Sequence, residues 1–375
     1  MPRLFPNDLI AYTKYIFEAI GVPEKTSELV ANMLVESNLR GHDSHGVIRI
    51  DQYIKHIKKG FINPNAEPAI EVDLPSYGNI NGNRAFGQVA ATFAIRFAID
   101  KAKENGFALV GCYNMAHVGR LEDYVSLAAQ SDCIAIAFCN GGGPNVAAYG
   151  SKTRTFGTNP IAFAVPNKTE DNLLIGFATA ATAEGKLNVA RNKGDKIDEG
   201  LILDKNGFIS NDPNCFYDGG AIMPMAGHKG SAFSIILEIL GGIFTGGRCS
   251  SFDGYVDGNG ILFMVMRPDL LRNRNDFDKD LELFQNIIKS GSPASGIESI
   301  LLPGQKEKES YDKLKHDGIV LDDKSWNIIS NIAKSYDVEI DLDHRSMGGA
   351  LIPSKRISTG KPDVLRADGT DNISR

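Results

Sequence analysis

The stretch FGQVAATFAIRFAIDKAKENGFALVGCYN, residues 86–114, indicates the fold class of this chain. Its first part carries apolar residues at helical spacing, and after Gly106 a short continuous apolar run is typical of a buried strand. The alternation repeats in LEDYVSLAAQSD (121–132) and CIAIAFCN (133–140), so we expect a β-α-β unit. Further strands are predicted at 160–166, 173–180, 186–192 and 260–268, and helices after residue 231 and near 276–290, 306–316 and 323–336.

The first 60 residues predict three helices ahead of this alternating region. Apolar residues recur at helical spacing, and turn residues separate the segments. Gly41 ends the second predicted helix and Gly60 the third. We therefore expect a mixed α/β fold of the α+β class with a helical N-terminal region.

Composition excludes several classes of protein. A net charge of −6 over 375 residues argues against a nucleic-acid partner, because a phosphate backbone requires a basic face. The five cysteines form no C-x-x-C pair, which argues against structural zinc and fits a reducing, cytoplasmic setting. No apolar run is long enough to span a bilayer, and the acid-containing N-terminal segment is unlike a signal peptide.

The segment RGHDSHGVIR, residues 40–49, concentrates chemistry-bearing side chains at a predicted helix start. With Ser44 as the N-cap of the third helix, His45 and Arg49 are i and i+4 and share a face. Arg49 can hold a carboxylate, and His45 can exchange a proton near neutral pH. This pattern suits a small carboxylate substrate, while a solvated polar face is the ordinary alternative. Metal binding by His42, Asp43 and His45 is disfavoured, since the two histidines straddle the helix start.

Three further segments are candidates for ligand binding. His117 follows the predicted strand 107–114, where ligand crevices of α/β sheets lie, although it could also be a loop histidine that caps the next helix. The glycine-rich CNGGGPNVAAYG is neither a G-x-G-x-x-G nor a Walker loop, and a plain flexible loop is the alternative. His228 and Lys229 precede a long apolar helix, which suits a phosphate or pyrophosphate.

Six segments in order resemble the type 2 malate/L-lactate dehydrogenase family: NLRGHDSHGVIRIDQYIKHIKKG, AHVGRLEDY, GTNPIAFAVP, GDKIDEGLILDKNGFISNDP, MPMAGHKGSAFSIILEILGGIFTG and LLPGQKEK. The resemblance covers roughly residues 8–340. It implies an NAD- or NADP-dependent oxidoreductase that interconverts 2-hydroxy and 2-oxo acids, usually as a homodimer. It also implies a non-Rossmann, mixed-sheet cofactor domain in a three-layer arrangement.

The resemblance also implies a domain division. The helical N-terminal region would cover residues 1–75, and a substrate and dimerisation domain would combine 76–125 with 270–345. The NAD(P)-binding domain would cover 126–269, and 346–375 would form an extended tail.

Site residues carry over position by position. His117 or His45 would be the acid/base, with His117 preferred, and Ser44 would orient a histidine. Arg49 would hold the substrate carboxylate, and Arg120 would lie near a second acidic group. The cofactor would contact Asn140, Gly141, Gly176, Phe177, Thr179, His228, Lys229 and Gly304.

Departures from the family pattern affect the expected cofactor. Where the family commonly reads L-D-M-A-T-S, this chain has Gly176 in place of the aspartate and Ala180 in place of the serine. Losing an acidic group could relax discrimination against NADP, whose 2′-phosphate an aspartate would repel. An alternative function is an NAD(P)H-dependent reductase of a cyclic imino carboxylate.

Overall fold

The computed structural model describes residues 1–255 and 258–338, and the strands within these ranges form three sheets. The strands are β1 Arg3–Leu4, β2 Ala69–Leu74, β3 Tyr77–Asn81, β4 Phe107–Met115, β5 Ile134–Gly141, β6 Val146–Ala147, β7 Arg154–Phe156, β8 Pro160–Val165, β9 Leu173–Ala178, β10 Ile202–Leu203, β11 Ile209–Ser210, β12 Ala221–Ile222, β13 Asn259–Met266 and β14 Ile319–Val320.

Helices surround these sheets and form the N-terminal region. They are α1 Pro6–Ala19, α2 Glu24–Leu39, α3 Ile50–Lys58, α4 Gly87–Asn105, α5 Glu122–Gln130, α6 Glu184–Lys193, α7 Asn214–Tyr217, α8 His228–Leu237, α9 Arg274–Lys289, α10 Gln305–Asp317 and α11 Asp323–Ser335. A π-helix, Glu238–Ile243, continues α8 directly.

The largest sheet has seven strands in the order β2-β3-β4-β13-β5-β8-β9. Helices α4 and α5 cover one face, and α8 with the π-helix covers the other, which confirms the expected three-layer, mixed fold. The buried side of α4 is rich in alanine, including Ala90, Ala94 and Ala98, so this helix can approach the sheet closely. The small buried side chains of α4 thus allow the helical layer to pack closely on the strands of the sheet.

The predicted β-α-β unit is present in a different form. Strands β4 and β5 are not neighbours, because β13 inserts between them and runs antiparallel to both. The parallel pair is β3 and β4, which α4 connects. Short-range sequence pattern predicted the strands correctly, but the strand that separates them comes from more than 100 residues farther along the chain.

A helical layer and a small sheet complete the described part. Helices α1 to α3 pack with α10 and α11 around a second apolar core, which confirms the helical N-terminal region. The five-stranded sheet β11-β10-β12-β6-β7 encloses a third core.

The strand predicted at 186–192 is wrong, since this segment lies in α6. Only Leu187 of α6 is buried, so the apparent alternation does not reflect a sheet face. The helix-forming residues of the segment prevail, and Gly194 ends the helix with φ +74°.

The predicted domain division remains a prediction. Its boundary at residue 125 falls between β4 and β5, two strands of the same sheet. The end of the predicted 270–345 segment and the predicted tail, 346–375, lie outside the described residues.

Glu238, the first residue of the π-helix, is the centre of a buried polar network. Its Oε1 accepts from Ser250 Oγ at 2.8 Å, Asn159 Nδ2 at 3.1 Å and the Gly157 amide at 3.3 Å. Its Oε2 accepts from the Ser250 amide at 3.0 Å and from Asn140 Nδ2 at 3.4 Å. An ionised carboxylate is the side chain best able to accept this many hydrogen bonds at once.

Replacing Glu238 by Gln should therefore destabilise the protein by about 2–4 kcal/mol, because an amide nitrogen would face donors that need an acceptor. Urea denaturation monitored by circular dichroism measures the loss. Glu104→Gln on the exposed side of α4 is the matched control and should lie within about 0.5 kcal/mol of the parent protein. Equal stability of the two variants would contradict the network's role.

Candidate active site

Two 3₁₀ turns, Asp43–His45 and Val47–Arg49, precede α3 and shape the histidine-rich segment. The prediction that Ser44 caps this helix is wrong, because α3 begins at Ile50. The cause is Asn38, whose amide occupies the space where residue 46 would carry a Cβ, so that only glycine fits. Asn38 Oδ1 also accepts the Val47 amide at 2.9 Å, which holds the chain in the turn.

Although they do not share a helix face, His45 and Arg49 still lie in one cleft. Arg49 Nε donates to the Ser44 carbonyl at 2.6 Å, and Arg49 Nη1 donates to Gln52 Oε1 at 2.7 Å. The Ser44 hydroxyl lies 3.1 Å from His45 Nδ1. These contacts hold the guanidinium and the imidazole in place, with the remaining Arg49 N–H groups available to a ligand.

His117 stacks on His45, with ring centroids 5.6 Å apart and ring planes inclined by 20°. His117 Nδ1 lies 2.9 Å from the Tyr53 hydroxyl, which accepts from Gln88 Nε2 at 2.7 Å. The direction of the Tyr53–His117 hydrogen bond follows the tautomer of His117: with the imidazole proton on Nδ1, that nitrogen donates to the Tyr53 oxygen and Nε2 is free to accept a proton. A hydroxyl can both donate and accept, so Tyr53 fits His117 in its neutral and its protonated state.

Burial and positive charge keep both histidines neutral in the free protein. Burial, followed by the charge of Arg49, lowers the pKa of His45 to about 3. The same two causes lower the pKa of His117 well below its ordinary value. An anion bound to Arg49 would cancel part of this effect and raise both pKa values.

The cleft has a volume of about 460 Å³ and brings together many of the predicted site residues. The wall of the cleft that carries the histidines includes Ser44, His45, Arg49, His117 and Arg120. Its opposite wall includes Gly141, Gly176 and Phe177. The chain thus gathers two proton-exchanging groups, a guanidinium and a glycine loop around one space.

Arg120 is almost fully buried and forms an ion pair with Asp123. Burial raises the pKa of Asp123 to about 6, even though the Arg120 charge acts in the opposite direction. The Arg120 charge is therefore already partly balanced within the protein, and its predicted contact with a second acidic group of the substrate stays a prediction.

The other predicted cofactor residues lie outside the cleft lining. Asn140 and Thr179 are fully buried, and the Thr179 hydroxyl donates to the Asn159 carbonyl at 2.9 Å. His228 and Lys229 are exposed at the start of α8. Gly304, before α10, lies against Leu174 of β9. Their predicted contacts with a cofactor stay predictions.

Sequence reasoning missed several residues that shape this cleft. Tyr53 lies within the apolar stripe of α3, where a lone hydroxyl could have signalled a buried partner. Asn259 accepts the Val118 amide at 2.9 Å and donates to the Asn140 carbonyl at 2.8 Å, which ties the His117 loop to the glycine loop. The local sequence pattern around Asn259 does not predict this long-range role.

The cleft places two imidazoles, which can exchange protons, beside a guanidinium, which can bind an anion. Among residues 1–255 and 258–338, no group of three or more His, Cys, Asp or Glu side chains is arranged to hold a metal ion. Over the same ranges, no helix combines the length and the apolar character needed to cross a membrane.

The family model for malate/L-lactate dehydrogenase matches residues 5–330, and the chain belongs to this family. It is an oxidoreductase family whose similar members are named dehydrogenases. The malate/(S)-sulfolactate dehydrogenase of Methanothermus fervidus is 35% identical over 331 residues, covering 87% of this chain and 95% of that protein.

Solved structures of two relatives have the same fold. The sulfolactate dehydrogenase of Methanocaldococcus jannaschii has a TM-score of 0.82 at 32% identity, covering 89% of this chain and 97% of that one. The Δ1-piperideine-2-carboxylate reductase of Pseudomonas syringae has a TM-score of 0.79 at 26% identity, covering 89% of this chain and 100% of that one.

Proposed function

We propose that this protein interconverts a small 2-hydroxy acid and its 2-oxo acid by hydride transfer with NAD or NADP. The observation that carries the proposal is the stacked pair His45 and His117 beside Arg49, in the same cleft as the glycine loop. A bound nicotinamide supplies or accepts the hydride. The protein supplies substrate orientation and the proton.

The glycine side of the cleft fits a dinucleotide. Gly142 and Gly143 have open space where a Cβ would be, so a ligand can approach the backbone closely. Strand β9 is the edge of the large sheet, so its outer side has no neighbouring strand among the described residues. The Pro303 carbonyl accepts the Leu174 amide, while residues 176–178 line the cleft.

Arg49 is the proposed carboxylate clamp. Its contacts with the Ser44 carbonyl and with Gln52 hold the planar guanidinium in one orientation before substrate arrives. A guanidinium held in this way can bind a carboxylate through two parallel hydrogen bonds. The neighbouring oxygen-bearing carbon of the substrate would then face the two imidazoles.

His117 is the proposed acid/base, with His45 stacked beside it. In the oxidation direction, neutral His117 would take the hydroxyl proton on Nε2 while Nδ1 donates to Tyr53. In the reduction direction, the protonated imidazole would return that proton to the carbonyl oxygen. The carboxylate bound at Arg49 favours this protonated state by offsetting the positive charge nearby.

Replacing Arg49 by Ala should raise KM for the 2-oxo acid about 100-fold, through loss of a charge-assisted bidentate contact, and change KM for the cofactor less than about threefold. Steady-state kinetics with each substrate varied in turn measures both constants. Lys55→Ala, which removes an exposed cation from α3, is the matched control and should change neither. An equal rise in both constants would show that Arg49 does not clamp the substrate.

The lowered histidine pKa values predict an unusual pH profile. Hydroxy-acid oxidation requires the neutral base, and a lowered pKa keeps that base available as the pH falls. The value of kcat/KM for oxidation reports the free enzyme and should stay level from about pH 8 to about pH 5.5. In the reverse direction, kcat/KM should fall as the pH rises across this range, because the protonated imidazole becomes scarcer. An inflection near 6.5 in the oxidation profile would contradict the assignment.

The alternative function is reduction of a cyclic imino carboxylate. The structural likeness to the piperideine-carboxylate reductase supports this alternative. It would use the same cofactor and the same Arg49 clamp. Parallel assays of pyruvate, oxaloacetate and a cyclic imino acid, each with NADH and NADPH, separate the two functions. Turnover of the imino acid alone would replace the main proposal.

A homodimer is the proposed assembly. The inner face of α8 and the π-helix carries small or polar groups such as Ser231 and Ser234, whereas its outer face carries exposed apolar side chains. The exposed side chains are Phe233, Ile235, Ile236, Ile239, Ile243 and Phe244. A contiguous apolar face on a helix is typical of a subunit interface.

Phe244→Asp should therefore convert a dimer into a monomer, because it places a charge in the proposed interface. Light scattering coupled to size-exclusion chromatography measures the mass, and circular dichroism checks the fold. Leu271→Asp, at a side chain that is 94% exposed elsewhere on the surface, is the control and should leave the mass unchanged. A parent protein that is monomeric, or a variant that stays dimeric, would overturn this interface.

A further inference from the structure

Gly176 and Glu122 share one volume at the edge of the cleft. A Cβ built on Gly176 would lie 2.1 Å from Glu122 Oε1 and 2.1 Å from Glu122 Cδ. The Glu122 carboxylate, at the first residue of α5, thus occupies the place where a side chain at position 176 of β9 would be. Gly176 is an extended strand residue without positive φ, so backbone conformation does not explain the glycine. The glycine is explained by the space that it leaves for the Glu122 carboxylate.

The Glu122 carboxylate is also available to a ligand. Both Glu122 and Gly176 line the cleft. The neighbouring guanidinium of Arg120 donates to Asp123 instead, so Glu122 has no hydrogen-bond donor among the described residues. A half-buried carboxylate with free lone pairs fits a ligand that presents hydroxyl groups.

We propose that Glu122, placed over Gly176, accepts hydrogen bonds from the hydroxyls of the adenosine ribose of the cofactor. This contact makes the site prefer NADH over NADPH, which carries its extra phosphate on that ribose. This inference rests on the proposed function. A carboxylate suits a ribose diol, whereas its charge opposes a 2′-phosphate in the same place. The sequence pattern suggested the opposite, because Gly176 lacks the acidic side chain common in the family. In the folded chain, the helix supplies the acid that the strand lacks.

Two variants test this assignment from different directions. Glu122→Gln keeps the shape and removes the charge. Gly176→Ala keeps the charge and displaces the carboxylate, because the new Cβ would overlap it. Glu104→Gln, an exposed carboxylate of α4, controls for the change in net charge. Thermal melting curves establish that each variant is folded.

The readout is the dissociation constant of NADH and of NADPH, measured by titration of nicotinamide fluorescence without substrate. We expect the parent protein and Glu104→Gln to bind NADH roughly tenfold or more tighter than NADPH. Glu122→Gln and Gly176→Ala should each reduce this ratio to below about threefold, mainly by weakening NADH. KM for the 2-oxo acid should stay within about twofold in both variants.

An unchanged NADH-to-NADPH ratio in Glu122→Gln would overturn the inference, and so would a variant that loses affinity for the oxo acid instead of the cofactor. An unchanged ratio in Gly176→Ala would overturn the part played by the space at position 176. These outcomes differ from failure of the proposed function, in which the parent protein would bind neither NADH nor NADPH.

Discussion

The cleft depends on a buried polar network at the start of β13. Asn259, the first residue of that strand, joins the loop of His117 to the carbonyl of Asn140. The Asn140 side chain accepts the Gly260 amide and donates to the Arg248 carbonyl and toward Glu238. Backbone N–H and C=O groups at the end of a strand need hydrogen-bond partners when they are buried. Here those partners also set the separation between the two walls of the cleft.

Positive charge next to neutral histidines gives this site its electrostatic character. Burial, followed by the charge of Arg49, lowers the pKa of both imidazoles and keeps them unprotonated in the free protein. The proposed substrate carries an anionic carboxylate, so binding and proton uptake are coupled through one guanidinium. The hydroxyls of Ser44 and Tyr53 suit this change, because each can serve as donor or acceptor. A carboxylate partner in their place would favour the charged imidazole permanently.

Much of the fold could be predicted from the sequence. The strands β4, β5, β8, β9 and β13 and the helices of the N-terminal region follow from apolar periodicity, which reports local burial. The prediction failed at residues 186–192, where only one leucine is buried and the segment is a helix. It also failed at Ser44, because Asn38 at the end of α2 holds the following chain in a turn and α3 begins only at Ile50. Strand neighbours could not be predicted, because no local pattern states that residue 259 begins the strand between β4 and β5.

For the candidate site, the sequence by itself determined the chemical groups: the DSHG segment with its arginine, the histidine after β4 and the glycine-rich loop after β5. An imidazole can exchange a proton near neutral pH, and a guanidinium can bind an anion, and both properties follow from the residue type alone. Only the tertiary structure decided which groups meet. It stacked His117 on His45, turned Arg120 toward Asp123 and brought Glu122 over Gly176. The physical reason is that burial, charge balance and shared volume are properties of neighbours in space, which residue order does not specify.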